Sequence, residues 1–168
     1  FTTTSSMSLA PGDNTITFDI TNNGNFEDTF TVTVSSLNDW LTTCPAVTVA
    51  YGSSSTCDVS VMVPKVAAGT KDSWTASAVA SNDAAVINEE SDTITVDTVT
   101  GHDLTGDTDL SGNPGSDVTY HFTILNTGNS QEKMFYTVSS SWNIDNVGGD
   151  TTLGMGDSAT ISVTQTIP

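Results

Sequence analysis

The chain has 168 residues, 36% of them hydrophobic, and sets 20 acidic residues against 3 basic ones for a formal net charge of −17. Such a surface repels nucleic acid and anionic lipid and has almost nothing to pair with phosphate, which excludes nucleic-acid binding. The longest apolar runs, such as residues 59–63 broken by Ser60, fall far short of the roughly 20 residues of a spanning helix, so no membrane insertion is expected.

Thr, Ser, Asn, Asp and Gly dominate while the strong helix formers are scarce, which predicts an all-β protein. An opening strand is predicted near Ser8 to Ala10. Pro11-Gly12-Asp13 then leads into Ile16, Phe18 and Ile20, which alternate with Thr17 and Asp19 and so face one core. Asn22-Asn23-Gly24 is turn chemistry, because Asn and Gly tolerate positive φ. A second alternating run follows at Phe30, Val32 and Val34, then Trp40, then strands at 47–51, 57–63, 74–79 and 94–99. Seven strands in about 100 residues is the size of an immunoglobulin-like sandwich.

Cys44 and Cys57 are the two cysteines. They flank a predicted hairpin whose turn lies near residues 51–54, which sets them opposite each other across the ladder. A disulfide formed in an oxidising compartment is one reading, and two buried thiols the other. With no Asn-x-Ser/Thr triplet in the sequence, N-glycosylation has no acceptor. The first residue is Phe1, with no basic or apolar leader, so a signal peptide is expected to have been removed or to lie upstream.

An internal repeat organises the rest. Residues 15–36 align without a gap to residues 119–140 at a constant shift of 104, with about ten identities in about twenty-two positions. Tyr120, Phe122 and Ile124 repeat the first alternation, Asn126 to Asn129 the turn, and Met134, Tyr136 and Val138 the second alternation. Trp142 follows as Trp40 does, with a two-residue slip, and Pro168 answers Pro64. A tryptophan at matching positions suggests a plug at the sandwich end, with stacking on a sugar as the alternative.

The chain therefore divides into residues 1–100, a complete sandwich, and 101–168, a partial repeat of 11–64. About 36 residues follow Pro64 in the first copy and supply its last two strands, which have no counterpart after Pro168. An open core face is expected at Phe122, Ile124, Val138, Ile161 and Val163, with an unpaired strand edge that invites a partner. Missing sequence of the same polypeptide or a strand from a neighbouring copy would complete it. In the second case the expected assembly strand is residues 1–10, with Phe1, Met7 and Leu9 to fill the core.

Candidate chemistry is sparse. His102 lies at the junction and His121 on the polar face of a strand, with no Ser-His-Asp or His-Cys grouping at useful spacing, so no catalytic residues are assigned. Asp103, Asp107 and Asp109 place three carboxylates in seven residues and could hold calcium, the one cofactor suggested. The Asp107-x-Asp109-x-Ser111-Gly112 opening imitates a calcium loop, but Val118 stands where the bidentate Glu belongs. An acidic, solvated linker is the alternative.

The order Pro11-Gly12-Asp13, alternating strand, Asn22 to Asn25, alternating strand, Trp40, Val61-Met-Val-Pro64 and Ala68-Gly-Thr70 is repeated at Pro114-Gly115, Asn126 to Asn129, Trp142 and Thr166-Ile-Pro168. This resembles the immunoglobulin-like repeats of bacterial and archaeal surface proteins, notably the cell-adhesion-related domain and the galactosidase-associated domain. The resemblance implies an extracellular spacer, adhesion or accessory module without catalytic residues. The expected function is a structural or adhesive module of a cell-surface protein, appendage or filament, with copies of itself or flanking repeats as partners. The alternative is an accessory carbohydrate-binding or adhesion module of a secreted glycosidase.

Overall fold

The computed structural model describes residues 7–83 and 87–168, and among these it holds strands, turns and loops with no helix. The strands are β1 (Met7–Leu9), β2 (Gly12–Thr21), β3 (Asp28–Ser36), β4 (Val47–Val49), β5 (Ser54–Val63), β6 (Lys71–Ala80), β7 (Ile87–Val96), β8 (His102–Gly106), β9 (Asp117–Asn126), β10 (Glu132–Thr137), β11 (Gly148–Leu153) and β12 (Ser158–Thr166). Contacts divide the chain into Phe1–Asp97 and Thr98–Pro168. The division falls ahead of the expected 100–101, because backbone pairs tie the linking residues to the second unit's turn. Asn129 N donates to Val99 O at 2.9 Å and Thr127 N to Gly101 O at 2.9 Å.

In the first unit one sheet has the order β1-β7-β6-β3-β4 and the other is β2-β5. Alternation decides which side chains meet between them: Ile16, Phe18 and Ile20 from β2 and Val59, Val61 and Val63 from β5 are all at most 2% exposed. From the larger sheet they meet Val32, Trp74, Ala76, Ala78, Ile94 and Val96, giving one continuous core. Two sheets with their inner faces packed together and this strand exchange form an immunoglobulin-like sandwich.

β4 and β5 are not the predicted hairpin. β4 pairs with β3, Asp28 opposite Val49, while β5 pairs with β2, so the chain changes sheet between them. Before that change, residues 40–42 run along the edge of β5. Met62 N donates to Trp40 O at 2.8 Å and Thr42 N to Ser60 O at 2.9 Å. Cys44 ends this edge segment, and its disulfide to Cys57 of β5 spans 6.0 Å between Cα atoms. The cysteines are thus bonded, across the edge of the smaller sheet rather than across a hairpin.

The second unit repeats the first at the level of register. Phe18 faces Cys57 in the β2-β5 ladder and Phe122 faces Ile161 in the β9-β12 ladder; Asp28 faces Val49 and Glu132 faces Leu153. Each residue of the second pair lies 104 beyond its counterpart. A one-residue slip would have turned every side chain to the other face, so the duplication preserves which residues are inside. Its sheets are β12-β9-β8 and β10-β11, around Ile124, Met134, Leu153, Ile161 and Val163.

The Asn-x-Gly turn does more than reverse the chain. Asn22, 3% exposed, donates from Nδ2 to Phe26 O and Val49 O, both at 2.8 Å, while its Oδ1 accepts from Gly24 N at 2.9 Å. Asn126 makes the same three bonds to Ser130 O, Leu153 O and Gly128 N. Since Asn22 directly follows β2 and Val49 ends β4, while Asn126 ends β9 and Leu153 ends β11, each asparagine ties one sheet to the other. The chain returns to it through a turn at Gly52, whose φ of 68° only glycine adopts easily, and Gly52 N donates to Asn22 O at 3.0 Å.

Candidate functional site: the open edge of the second unit

In the first unit β3 is bonded on both sides, by β4 and by β6. Its counterpart β10 is bonded to β11 alone among the described residues, so its other edge presents free N–H and C=O groups. Beneath that edge lies a groove between β10 and the β12-β9-β8 sheet. One part, about 460 Å³, is lined by His102, Leu104, Ile124 and residues 132–137. It continues through Phe122, Val138 and Ile161, about 180 Å³, to an end cavity of about 180 Å³ bounded by Tyr120, Ser140, Ile144, Val163 and Gln165.

The five residues expected on the open face divide. Ile124, Ile161 and Val163 are buried by their own unit, whereas Phe122 and Val138 remain half-buried. Phe122 shows what is missing: its counterpart Phe18 is 0% exposed and meets the Trp74 ring edge-on at 5.5 Å. Phe122 stacks instead on Tyr120, with centroids 6.4 Å apart. The sequence reading missed Leu104, which is 60% exposed beside Ile124 on the neighbouring strand. Its strand, β8, has a single large apolar residue and offers no alternation to detect.

The expected assembly strand is not free. Met7 and Leu9 pair in parallel with Ile94 and Val96 of β7 and pack on the first unit's own core. Their alternation with Ser8 aims both inward, which is what an edge strand of that sandwich requires. Phe1 lies outside the described residues.

Asp103, Asp107 and Asp109 are not gathered into a cluster, and no group of three or more potential ligands occurs among the described residues. Strand geometry explains this, because Asp103 sits within β8 and an extended chain carries Asp107 roughly 13 Å away. Asp103 Oδ1 accepts from Leu104 N at 2.9 Å. Asp107 Oδ2 accepts from His121 N at 2.9 Å and lies 3.1 Å from His121 Nδ1. The His121 backbone N–H first, and its ring second, hold the Asp107 carboxyl below its ordinary value. His121 is therefore engaged with a carboxylate, while His102 lines the groove.

The tryptophans part company. Trp40 is 8% exposed in the core, while Trp142 is 47% exposed. Both backbone N–H groups bond a serine hydroxyl, but Ser36 lies four residues before Trp40 and Ser140 two before Trp142. The shorter connection leaves the indole outside, and Ile144 bridges to Gln165 where Leu41 bridges to Val61.

No family model matches the chain, and no curated protein matches it. Solved structures do. The chain is similar to the chaperone–tip adhesin complex of CFA/I fimbriae at 14% identity, TM-score 0.41, covering 92% of this chain and 81% of that one. It is similar to the class 5 fimbrial chaperone CfaA at 14% identity, TM-score 0.39, over 92% and 81%, and to the YadV chaperone at 10%, TM-score 0.37, over 95% and 81%. At these identities and scores the likeness carries no functional argument.

Proposed function

We propose that the chain is a structural module of a secreted surface or appendage protein, with a closed first sandwich as spacer and a second sandwich finished by a polypeptide strand that residues 98–168 do not supply. The observation behind this is the edge of β10, bonded on one side where β3 is bonded on two. A free edge above an apolar groove is a template for strand addition, in which main-chain bonds give affinity and alternate side chains give selectivity. Covering a large apolar side chain such as Phe122 or Leu104 stabilises on the order of 1.5 to 3 kcal/mol when burial is complete.

Other features support the same reading. The Cys44–Cys57 disulfide suits an oxidising compartment, and a net charge of −17 suits solubility outside the cell. The resemblance to immunoglobulin-like repeats of bacterial and archaeal surface proteins suits a spacer or adhesion module, with a copy of the chain or a flanking repeat as partner. A carbohydrate-binding role is less well supported: Trp40 is buried and cannot stack on a sugar, and Trp142, although 47% exposed, lines no part of the groove.

Hydrogen exchange read residue by residue tests it. In the isolated chain, β10 amides not bonded to β11 should exchange at least about tenfold faster than those of β3. In the native assembly the two strands should be protected alike. Fast exchange at β10 in the native assembly would overturn the proposal.

A further inference from the structure

Because the two units share register, the first shows what the groove of the second is shaped to hold. The inward residues of β3 face β6 in a fixed order: Phe30 opposite Ala80, Val32 opposite Ala78, Val34 opposite Ala76 and Ser36 opposite Trp74. All four β6 residues are at most 5% exposed. The corresponding positions of the second unit are Met134, Tyr136, Val138 and Ser140, each 104 further on. Across the sandwich, Ile16, Phe18 and Ile20 become Tyr120, Phe122 and Ile124. Tyr136 is larger than Val32 and Tyr120 larger than Ile16, so the room left opposite β10 is no wider than the room β6 fills with methyl groups.

The far end differs. Ser140 and Phe122 both border the end cavity of about 180 Å³, and they are the counterparts of the two residues that Trp74 faces or touches in the first unit. The middle of the groove, from Leu104 to Ile161, is lined without a charged group. An inward charge there would be buried unpaired, which is strongly unfavourable.

Resting on the strand-accepting reading above, we infer that the occupant is a polypeptide strand antiparallel to β10, with small uncharged residues at three alternate inward positions and an aromatic ring at the fourth. That ring lies over Phe122, and the small residues lie opposite Met134, Tyr136 and Val138. A second copy is a poor source. Its described residues hold this pattern in β6 and, less fully, at 51–57 and 135–141, and each of these runs is already paired in its own unit, so it would have to leave its ladder. The strand therefore comes from a segment outside residues 7–168, of the kind a further repeat like the first unit carries.

The test uses the whole chain and a synthetic peptide of the sequence of residues 71–80, with exchange followed at β10 and at β3. Saturating peptide should slow β10 exchange at least about tenfold, leave β3 unchanged and bring the peptide indole into contact with Phe122. Peptides with Ala78→Asp, or with Ala76, Ala78 and Ala80 all changed to Leu, should bind at least about tenfold more weakly, as should one with Trp74→Ala. If the leucine peptide protects β10 as well as the parent, the inferred pattern falls while strand acceptance stands. If no peptide protects β10 although the native assembly does, the pattern again falls. If β10 is open in the native assembly as well, both fall together.

Discussion

Replacing Asn22 by Ala removes three hydrogen bonds made by a side chain that is 3% exposed. The Val49 carbonyl is buried and loses its tie across the sandwich, at about 1 to 3 kcal/mol for an orphaned acceptor. Phe26 O and Gly24 N are only part-buried and can partly rehydrate, so each adds about 1 kcal/mol. The expected loss is about 3 to 5 kcal/mol, a large share of the 5 to 15 kcal/mol typical of a domain. Asn22→Asp separates the roles, because a carboxylate still accepts from Gly24 N but donates nothing, and it should lose nearly as much as Asn22→Ala. Urea unfolding followed by fluorescence of the buried Trp40 and Trp74 reads both variants, with unchanged slope confirming that stability alone has moved. A loss below about 1 kcal/mol for Asn22→Ala, or near-native stability for Asn22→Asp, would refute the claim that this side chain clasps the two sheets.

Other expectations follow from the same geometry. Nonreducing peptide mapping should recover Cys44 and Cys57 linked, and Cys57→Ala should cost about 3 kcal/mol, the chain-entropy value for a loop of this size; recovery of two alkylatable thiols would refute the pairing. Asp107 has a lowered folded pKa, so its contribution is complete above the unfolded value near pH 4 and is lost as pH falls through the folded value. In an NMR titration His121→Ala should keep most of that depression, because the backbone N–H is the larger cause; a return to the ordinary value would show the ring to be dominant. Gly24 and Gly128 occupy matching positions but differ in surroundings: a Cβ on Gly128 would lie 2.6 Å from Val99 O, and one on Gly24 would lie 3.0 Å from Asn22 Oδ1. Gly128→Ala should therefore cost about 1 to 3 kcal/mol and Gly24→Ala less, as thermal melts would show.

What could be read from the sequence was whatever burial writes with period two. Ile16, Phe18 and Ile20, and Val59, Val61 and Val63, alternate because one face of each strand is inside, and the duplication doubled that signal. Strands held by pairing rather than by burial left no such trace. β8 has one large apolar residue, and the first half of β7, Ile87 to Glu90, is mostly exposed yet extended because it lies along β6. The asparagines were legible as turn residues but not as clasps, since the carbonyl that each one reaches across the sandwich lies 27 positions away. The short separation of Cys44 and Cys57 favours a hairpin. The competing demand, pairing of Phe30 with Val47, drew β4 into the other sheet.

The closing strand of the first unit also explains how the second holds together without one. β6 contributes Ala76, Ala78 and Ala80 to the core, and a methyl group is worth only about 0.8 kcal/mol, so its main contributions are ladder bonds and the single large ring of Trp74. The apolar bulk of the second unit sits on strands it already owns, in Ile124, Met134, Leu153, Ile161 and Val163. With no equivalent of β6 among the described residues, the sandwich loses cover along one edge but keeps its centre, and Phe122, whose counterpart Phe18 meets the Trp74 ring, stays half-buried. The asparagine clasp at Asn126 does not depend on that strand either, because all three of its bonds lie within residues 126–153. β7 adds Ile94 and Val96 to the first core, but the strand next to β3 is β6, whose inward residues are mostly methyl groups. The seam at β10 therefore leaves a formed floor and a free ladder, the two surfaces that the proposed incoming strand needs.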